Sequence, residues 1–268
     1  MLRNSFISHL IRYRELLLSM SWREINGRYR GSLLGRGWTL LNPIIMLSVY
    51  TLVFSKIFKA RWADLEQLGP LGFAVNIFSG LIVFNLFAEC LSSAPGKILE
   101  NGSFVKKVVF PLEMFSGVTL FSALFHALSS LIALAIFDLI ALHKIPITFP
   151  LIPLTWIPLI LLCLGLGWIV SAIGVFFRDI SQIIGAVVNM LMFLSAVFYP
   201  ISALPERWQP LLRLNPIAAT IEQTRNAAVL GISPSIKFIL VGAAAGLIFC
   251  EISFRFFQKL RRGFADVI

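Results

Sequence analysis

Six stretches of this chain contain no Asp, Glu, Lys or Arg, and they decide what it can fold into. They lie between Arg36 and Lys56, Glu66 and Glu89, Glu113 and Asp138, Lys144 and Arg178, Asp179 and Glu206, and Lys237 and Glu251. A helix crosses a hydrocarbon core of about 30 Å with roughly 20 residues. The first five stretches reach that length or nearly so. The sixth is shorter, but its apolar character continues past Glu251 through Phe254, Phe256 and Phe257. Lipid does not tolerate unpaired backbone groups, and no alternating strand pattern is present, so the spans should be helices. The expected fold class is all-α: a polytopic membrane protein with about six transmembrane helices. Composition agrees, since 13% of residues are charged against about 25% in an ordinary soluble domain.

A net charge of +10 could suggest nucleic acid, but its distribution points to a membrane. Even span number puts both termini on one side. That side then carries 15 of the 23 Lys and Arg residues: seven within positions 1–36, then Lys97, Lys106, Lys107 and Arg178, and finally Arg255, Lys259, Arg261 and Arg262. Cationic residues favour the cytoplasmic side. The expected orientation is therefore N-in, C-in, with no nucleic-acid partner. Cys90, Cys163 and Cys250 all fall inside apolar segments. They fit no metal-ligand spacing or disulfide framework and read as small buried hydrophobes.

Three regions follow. Residues 1–36 should form cytoplasmic interfacial helices. Phe6, Leu10 and Ile7, Ile11 recur at i, i+4 opposite Arg3, Ser8 and Arg12, and a second stripe runs Leu18, Trp22, Ile25 and Tyr29. Residues 37–258 should hold the spans, with two short helices dipping into the outer leaflet at about 201–233, where Pro205, Pro210 and Pro216 interrupt an apolar stretch; the resemblance described below implies that these stand at the outer gate. Residues 259–268 should be a cytoplasmic tail. Between Pro95-Gly96 and Phe110-Pro111, Lys97 to Val105 can form a short helix. Ile98, Leu99, Phe104 and Val105 are expected to be exposed there and to mark a partner surface. Trp38, Trp62, Trp156 and Trp208 lie near span ends and read as interfacial anchors.

Catalysis has little support. The phosphate-cradling GxxxxGK[ST] pattern has no match. The one Gly-Lys pair, Gly96-Lys97, is followed by Ile98, and Leu91 stands where the first glycine would be. HExxH and GxSxG are also missing. An ion-coupled transporter needs ionisable groups in the membrane. Glu89 and Asp138 lie near span ends, where they can reach the interface. His126 reads as a packed or hydrogen-bonded structural residue, and Glu251 as the partner of Arg255 one turn on. No cofactor or metal is expected on this chain, so its energy should come from a partner.

Several motifs carry a resemblance. Arg28-Tyr29-Arg30-Gly31-Ser32-Leu33-Leu34-Gly35, followed by Trp38, Leu41 and Pro43, resembles the lead-in to the first span of ABC transporter permeases that export polysaccharides: O-antigen, capsule and teichoic acid exporters. Leu99-Glu100-Asn101 through Phe104-Val105-Lys106-Lys107 to Phe110-Pro111-Leu112-Glu113 is similar to their first cytoplasmic loop. Phe177-Arg178-Asp179, Tyr199-Pro200, Asn215-Pro216 and the ending Phe264-Ala265-Asp266-Val267-Ile268 match in the same order, over about 240 residues of the chain.

The resemblance implies a second copy of this subunit and two separate ABC ATPase subunits, which bind ATP and Mg. It implies an undecaprenyl-pyrophosphate-linked glycan, O-antigen first, moved across the bacterial inner membrane. It implies ATPase coupling through Lys97, Ile98, Leu99, Glu100, Asn101, Phe104, Val105 and Lys106, and through Arg178 and Asp179. Spans 1 and 5 would line the channel with Tyr50, Phe54, Phe58, Phe193, Phe198 and Tyr199, whose rings can stack on sugars. Arg28, Arg30 and Arg36 could meet the lipid pyrophosphate at the cytoplasmic entrance; that last role is read from charge. The alternatives are permeases for capsule, teichoic acid, drugs or lipids, a secondary transporter, and a membrane-embedded lipid-modifying enzyme.

Overall fold

A computed structural model describes residues 5–53, 69–106, 110–143 and 145–268. Among them every regular element is helical. Two helices come first, α1 (Phe6–Arg12) and α2 (Arg14–Arg28). They lead to α3 (Trp38–Thr51), α4 (Gly69–Ser93), the short α5 (Gly102–Lys106) and α6 (Met114–Phe137). Next come α7 (Ile152–Thr155), α8 (Ile157–Phe176) and α9 (Ile180–Leu194). The chain closes with α10 (Gln209–Leu214), α11 (Pro216–Arg225), α12 (Ile236–Arg261) and α13 (Phe264–Val267).

Four helical stretches are long and apolar enough to cross a membrane: Leu71–Ser93, Met114–Ile140, Phe149–Phe176 and Ile236–Arg261. The chain is an all-α, multi-pass membrane protein. The other two apolar helices are shorter. α3 has 14 residues, and the description stops soon after it. α9 has 15, about 22 Å at 1.5 Å per residue, where the sequence predicts a span to Tyr199. It stops because residues 195–199 form a turn with Ala196 in the left-handed region, φ 55°.

The helices meet through small residues, because lipid tails give helices no hydrophobic reason to associate and close backbone approach must do so instead. α12 runs along α8. Gly165 receives the Phe249 ring, Gly242 receives Pro158 and Gly246 receives Leu161, and a β-carbon at any of the three would stand under 3.0 Å from its neighbour. α4 is the most enclosed span, packed by α3, α6, α8, α9 and α11. Cys90, Cys163 and Cys250 are free and buried.

One sequence expectation is corrected here. The buried face of α2 is Leu17, Ser21 and Ile25, while Leu18 and Trp22 of the expected interfacial stripe are exposed. Leu17 fills the notch left by Gly117 on α6, and that contact sets the rotation of α2. Trp156 is no interfacial anchor: it is buried, and its indole N–H donates to Thr224 Oγ1 at 3.1 Å. In α1, Phe6 turns inward against Trp168, while Ile7 and Ile11 stay exposed.

Candidate functional site

Three groups of residues singled out from sequence lie in three places. The coupling residues gather at the end of the bundle that also holds α1, α2 and the C-terminus. Gly174, near the end of α8, lets the Pro95 carbonyl come so close that a β-carbon would overlap it. The loop that starts at Pro95 thus lies beside Phe177-Arg178-Asp179. Arg178 and Asp179 are exposed. The last residue closes the group, since a β-carbon on Gly102 would stand 3.0 Å from Ile268 Cγ2, and Phe264 is buried between Phe176 and Phe257.

The loop itself departs from expectation. Its helix begins at Gly102, not Lys97. Residues 94–101 make turns instead, and the Asn101 side chain donates to the Lys97 carbonyl at 2.9 Å, a local bond that competes with helix. Ile98 is fully buried, and Phe104 is half-buried against Phe110, 4.7 Å between ring centres, and Phe115. Among the described residues the expected exposed apolar patch is reduced, because the loop folds back onto the bundle and buries Ile98. What faces out is Glu100, with Leu99, Asn101 and Val105 half-exposed. Lys97 is held by Glu24 of α2 at 2.7 Å. The side chain of Lys106 lies outside the described residues.

The entrance arginines differ from one another. Arg28 Nη2 meets Glu89 Oε1 of α4 at 2.7 Å. His126 of α6 places Nδ1 at 3.0 and 3.1 Å from the two Glu89 oxygens, and donates to the carboxylate when its proton sits on that nitrogen. His126 is thus the hydrogen-bonded structural residue expected. Arg28 is part of a three-membered cluster, although it is exposed like Arg30 and Arg36. Arg36 stacks over Trp22, 4.5 Å from the ring centre. The cluster borders a cavity of about 490 Å³ between α3, α4 and α6. Asn42, Asn85 and Ser130 give it polar walls, and Met46, Phe78 and Ile82 apolar ones. Asp138, expected to reach the interface, is buried instead.

The channel residues sit on α3 and at the end of α9. Phe193 is 60% exposed. Its ring lies 5.9 Å from that of Phe198, and its carbonyl accepts from the Tyr199 hydroxyl at 2.6 Å. The three form one aromatic group. Tyr50 is half-buried on α3. Phe54 and Phe58 lie outside the described residues. Sequence reading missed Gln182 and Asn189. Both are exposed, and with Phe193 they fall at i, i+7 and i+11, one face of a helix. The signal was available: two amides inside a charge-free stretch. Only Val188 of α9 is buried.

At the other end of α4, Arg225 of α11 is buried. Its guanidinium donates to the carbonyls of Asn76 at 3.1 Å, Ala196 at 2.8 Å and Val197. Gly80 leaves the room it needs. Among the described residues, no group of three His, Cys, Asp or Glu side chains could hold a metal ion.

Comparison with known proteins agrees with this membrane architecture. A family described as ABC-2 type transporter matches residues 15–229. An O-antigen export system permease protein of Myxococcus xanthus is 26% identical, over 98% of both chains. One from Klebsiella pneumoniae is 21% identical over 95% of both. The polysialic acid transport protein of Escherichia coli is 26% identical over 78% of this chain and 79% of its own. The match spans most of the sequence, so the chain belongs to the ABC-2 type transporter family, whose members here are inner-membrane transport components rather than enzymes.

Proposed function

We propose that this ABC-2 type transporter chain is the transmembrane subunit of an ATP-driven exporter that carries a lipid-linked O-antigen polysaccharide across the bacterial inner membrane. The observation that carries the reading is the uncovered face of α9. Asn189 is an exposed amide well inside this apolar helix, with the exposed Gln182 two turns before it near the helix start, and polar side chains at membrane depth belong on a bundle interior or a water-filled path. Phe193, on the same face, offers a ring that can stack on a sugar. Amides that bond hydroxyls beside a ring that covers an apolar sugar face suit a glycan. They do not suit a bare ion or a wholly apolar drug.

Two copies of the chain would enclose this path between their α3 and α9 helices, with the aromatic group of Phe193, Phe198 and Tyr199 at one end. The basic end faces the cytoplasm, as its cationic surplus favours. There a separate ATPase pair, which supplies ATP and Mg, presses on Glu100, Leu99 and Asn101 and on Arg178 and Asp179. The anionic pyrophosphate approaches along Arg30 and Arg36, and Arg28 joins it by leaving Glu89. The relatives that export polysialic acid and capsule fit the same path with a different glycan.

Replacing Gln182, Asn189 and Phe193 together by Ala tests the path. We expect export of the surface glycan to fall about ten-fold, since each lost contact contributes roughly 0.5–1 kcal/mol, while membrane insertion and co-purification with the ATPase persist. Export unchanged in this triple variant would return the face to lipid or to packing.

A further inference from the structure

A second cavity, of about 910 Å³, opens between the N-terminal helix α1 and the end of α12. It shares no residue with the entrance, the α9 face or the coupling loop. His9, Arg255, Gln258, Lys259, Arg261 and Arg262 line it over Phe254, whose ring lies 5.2 Å from that of His9. The charges do not balance. Arg255 is neutralised by Glu251 at 2.8 Å, and Arg261 by the buried Glu113 at 2.9 Å. His9 Nδ1 also lies 3.0 Å from Glu113, at an angle that makes no hydrogen bond. Lys259 and Arg262 are exposed and form no ion pair among the described residues.

The stripe of α12 that leads to these cations is apolar and exposed: Ile248 and Ile252 fall on the same helix face as Lys259. The cavity therefore stands where hydrocarbon gives way to headgroups. A ligand with a phosphate at one end and acyl chains at the other meets both surfaces at once. We propose that this groove is a binding site for an anionic phospholipid, with its phosphate between Lys259 and Arg262 and its chains along Ile252 and Ile248. Bound there, the lipid bridges α1 to α12 where the His9 and Phe254 rings already meet. The site's chemistry is independent of the glycan path.

The purified full-length chain is titrated in detergent with phosphatidylglycerol, phosphatidylcholine or inorganic phosphate, and binding is read from the thermal unfolding midpoint. Phosphatidylglycerol should raise the midpoint, and phosphatidylcholine should not. The double variant Lys259→Gln/Arg262→Gln removes two exposed cations. It should weaken phosphatidylglycerol roughly ten- to thirty-fold, the effect of two interfacial cations. Arg14→Gln/Arg23→Gln removes equal charge from exposed positions on α2 and should leave that affinity within about two-fold. Equal weakening in both variants would mean bulk attraction and overturn the site. Inorganic phosphate binding as tightly as the lipid would also overturn it, in favour of a free anion. So would a groove variant that binds lipid normally but fails to co-purify with the ATPase, since the surface would then belong to a protein partner.

Discussion

At the basic end of the bundle, Arg28, Lys97, Arg255 and Arg261 each meet a carboxylate. Three of those pairs join separate elements: α2 to α4, the Pro95 loop to α2, and α12 to the residue before α6. At the other end, Arg225 directs its guanidinium at backbone carbonyls of α4 and of the turn after α9. The hydroxyls there are also fixed to the frame, Thr148 to the Ala227 carbonyl at 2.7 Å and Thr155 to Thr224 at 3.1 Å. A carboxylate can be exchanged for another anion, such as a phosphate, or released when helices shift. A carbonyl in a broken helix end has no such substitute. The contrast describes an exchangeable end and a fixed end that ties α11 to α4 and to the turn after α9.

The fixed end should break first and hardest. Arg225→Met removes a cation bonded to three buried carbonyls and frees Ala196 from the left-handed conformation that needs support. Hydrogen bonds from charged groups contribute about 1.5–3 kcal/mol each. We expect a loss of at least about 3 kcal/mol, seen as a sharp fall in the thermal midpoint of the purified protein. Gly80→Ala should move the same way, because its β-carbon would stand 2.9 Å from Arg225 Nη2. Wild-type stability in both would remove the distinction between the ends.

Glu113→Gln is intermediate. Glu113 is fully buried and its partner Arg261 is not, so the pair lies between the exposed and the buried extremes. Breaking it should cost about 2 kcal/mol, and a double-mutant cycle with Arg261→Gln should recover at least about 1 kcal/mol of coupling. Additive effects would show that the carboxylate packs without pairing.

The smallest stability effect, under about 1 kcal/mol, is expected for Arg28→Gln, whose side chain is 45% exposed and whose pair is correspondingly screened. Under the proposed role of Arg28 at the pyrophosphate, export should nevertheless drop several-fold. A variant that unfolds with export lost, or one that stays stable with export intact, would each sink the exchangeable reading of this pair.

How much of this could be read beforehand follows from what sequence encodes. Charge-free runs specify helices directly, so α4, α6, α8 and α12 lie where the runs predict, and the Glu251–Arg255 pair needed only i, i+4 spacing. Tertiary facts did not show. The burial of Ile98 and Trp156 depends on Gly174 and α11, far away in sequence. The pairing of Arg28 with Glu89 spans three elements. Arg225 carried no sequence signal, because nothing local records that α9 ends at Leu194 and leaves two carbonyls for it. Gln182 and Asn189 were legible and were passed over, since aromatic residues drew the attention that belonged to amides in a charge-free run.

The claim that matters most is that this chain forms the path for a lipid-linked glycan and takes its energy from a separate subunit. Proteoliposomes holding the chain and its ABC ATPase, loaded with a polyprenyl-pyrophosphate-linked glycan, test it directly. The measurement is the fraction of glycan that passes into the compartment opposite the ATPase and becomes protected from an added glycosidase. The account predicts protection that requires both proteins and hydrolysable ATP, and that Gln182→Ala/Asn189→Ala/Phe193→Ala slows about ten-fold. Protection by the chain alone under a proton gradient, or none with both proteins and ATP, would contradict it.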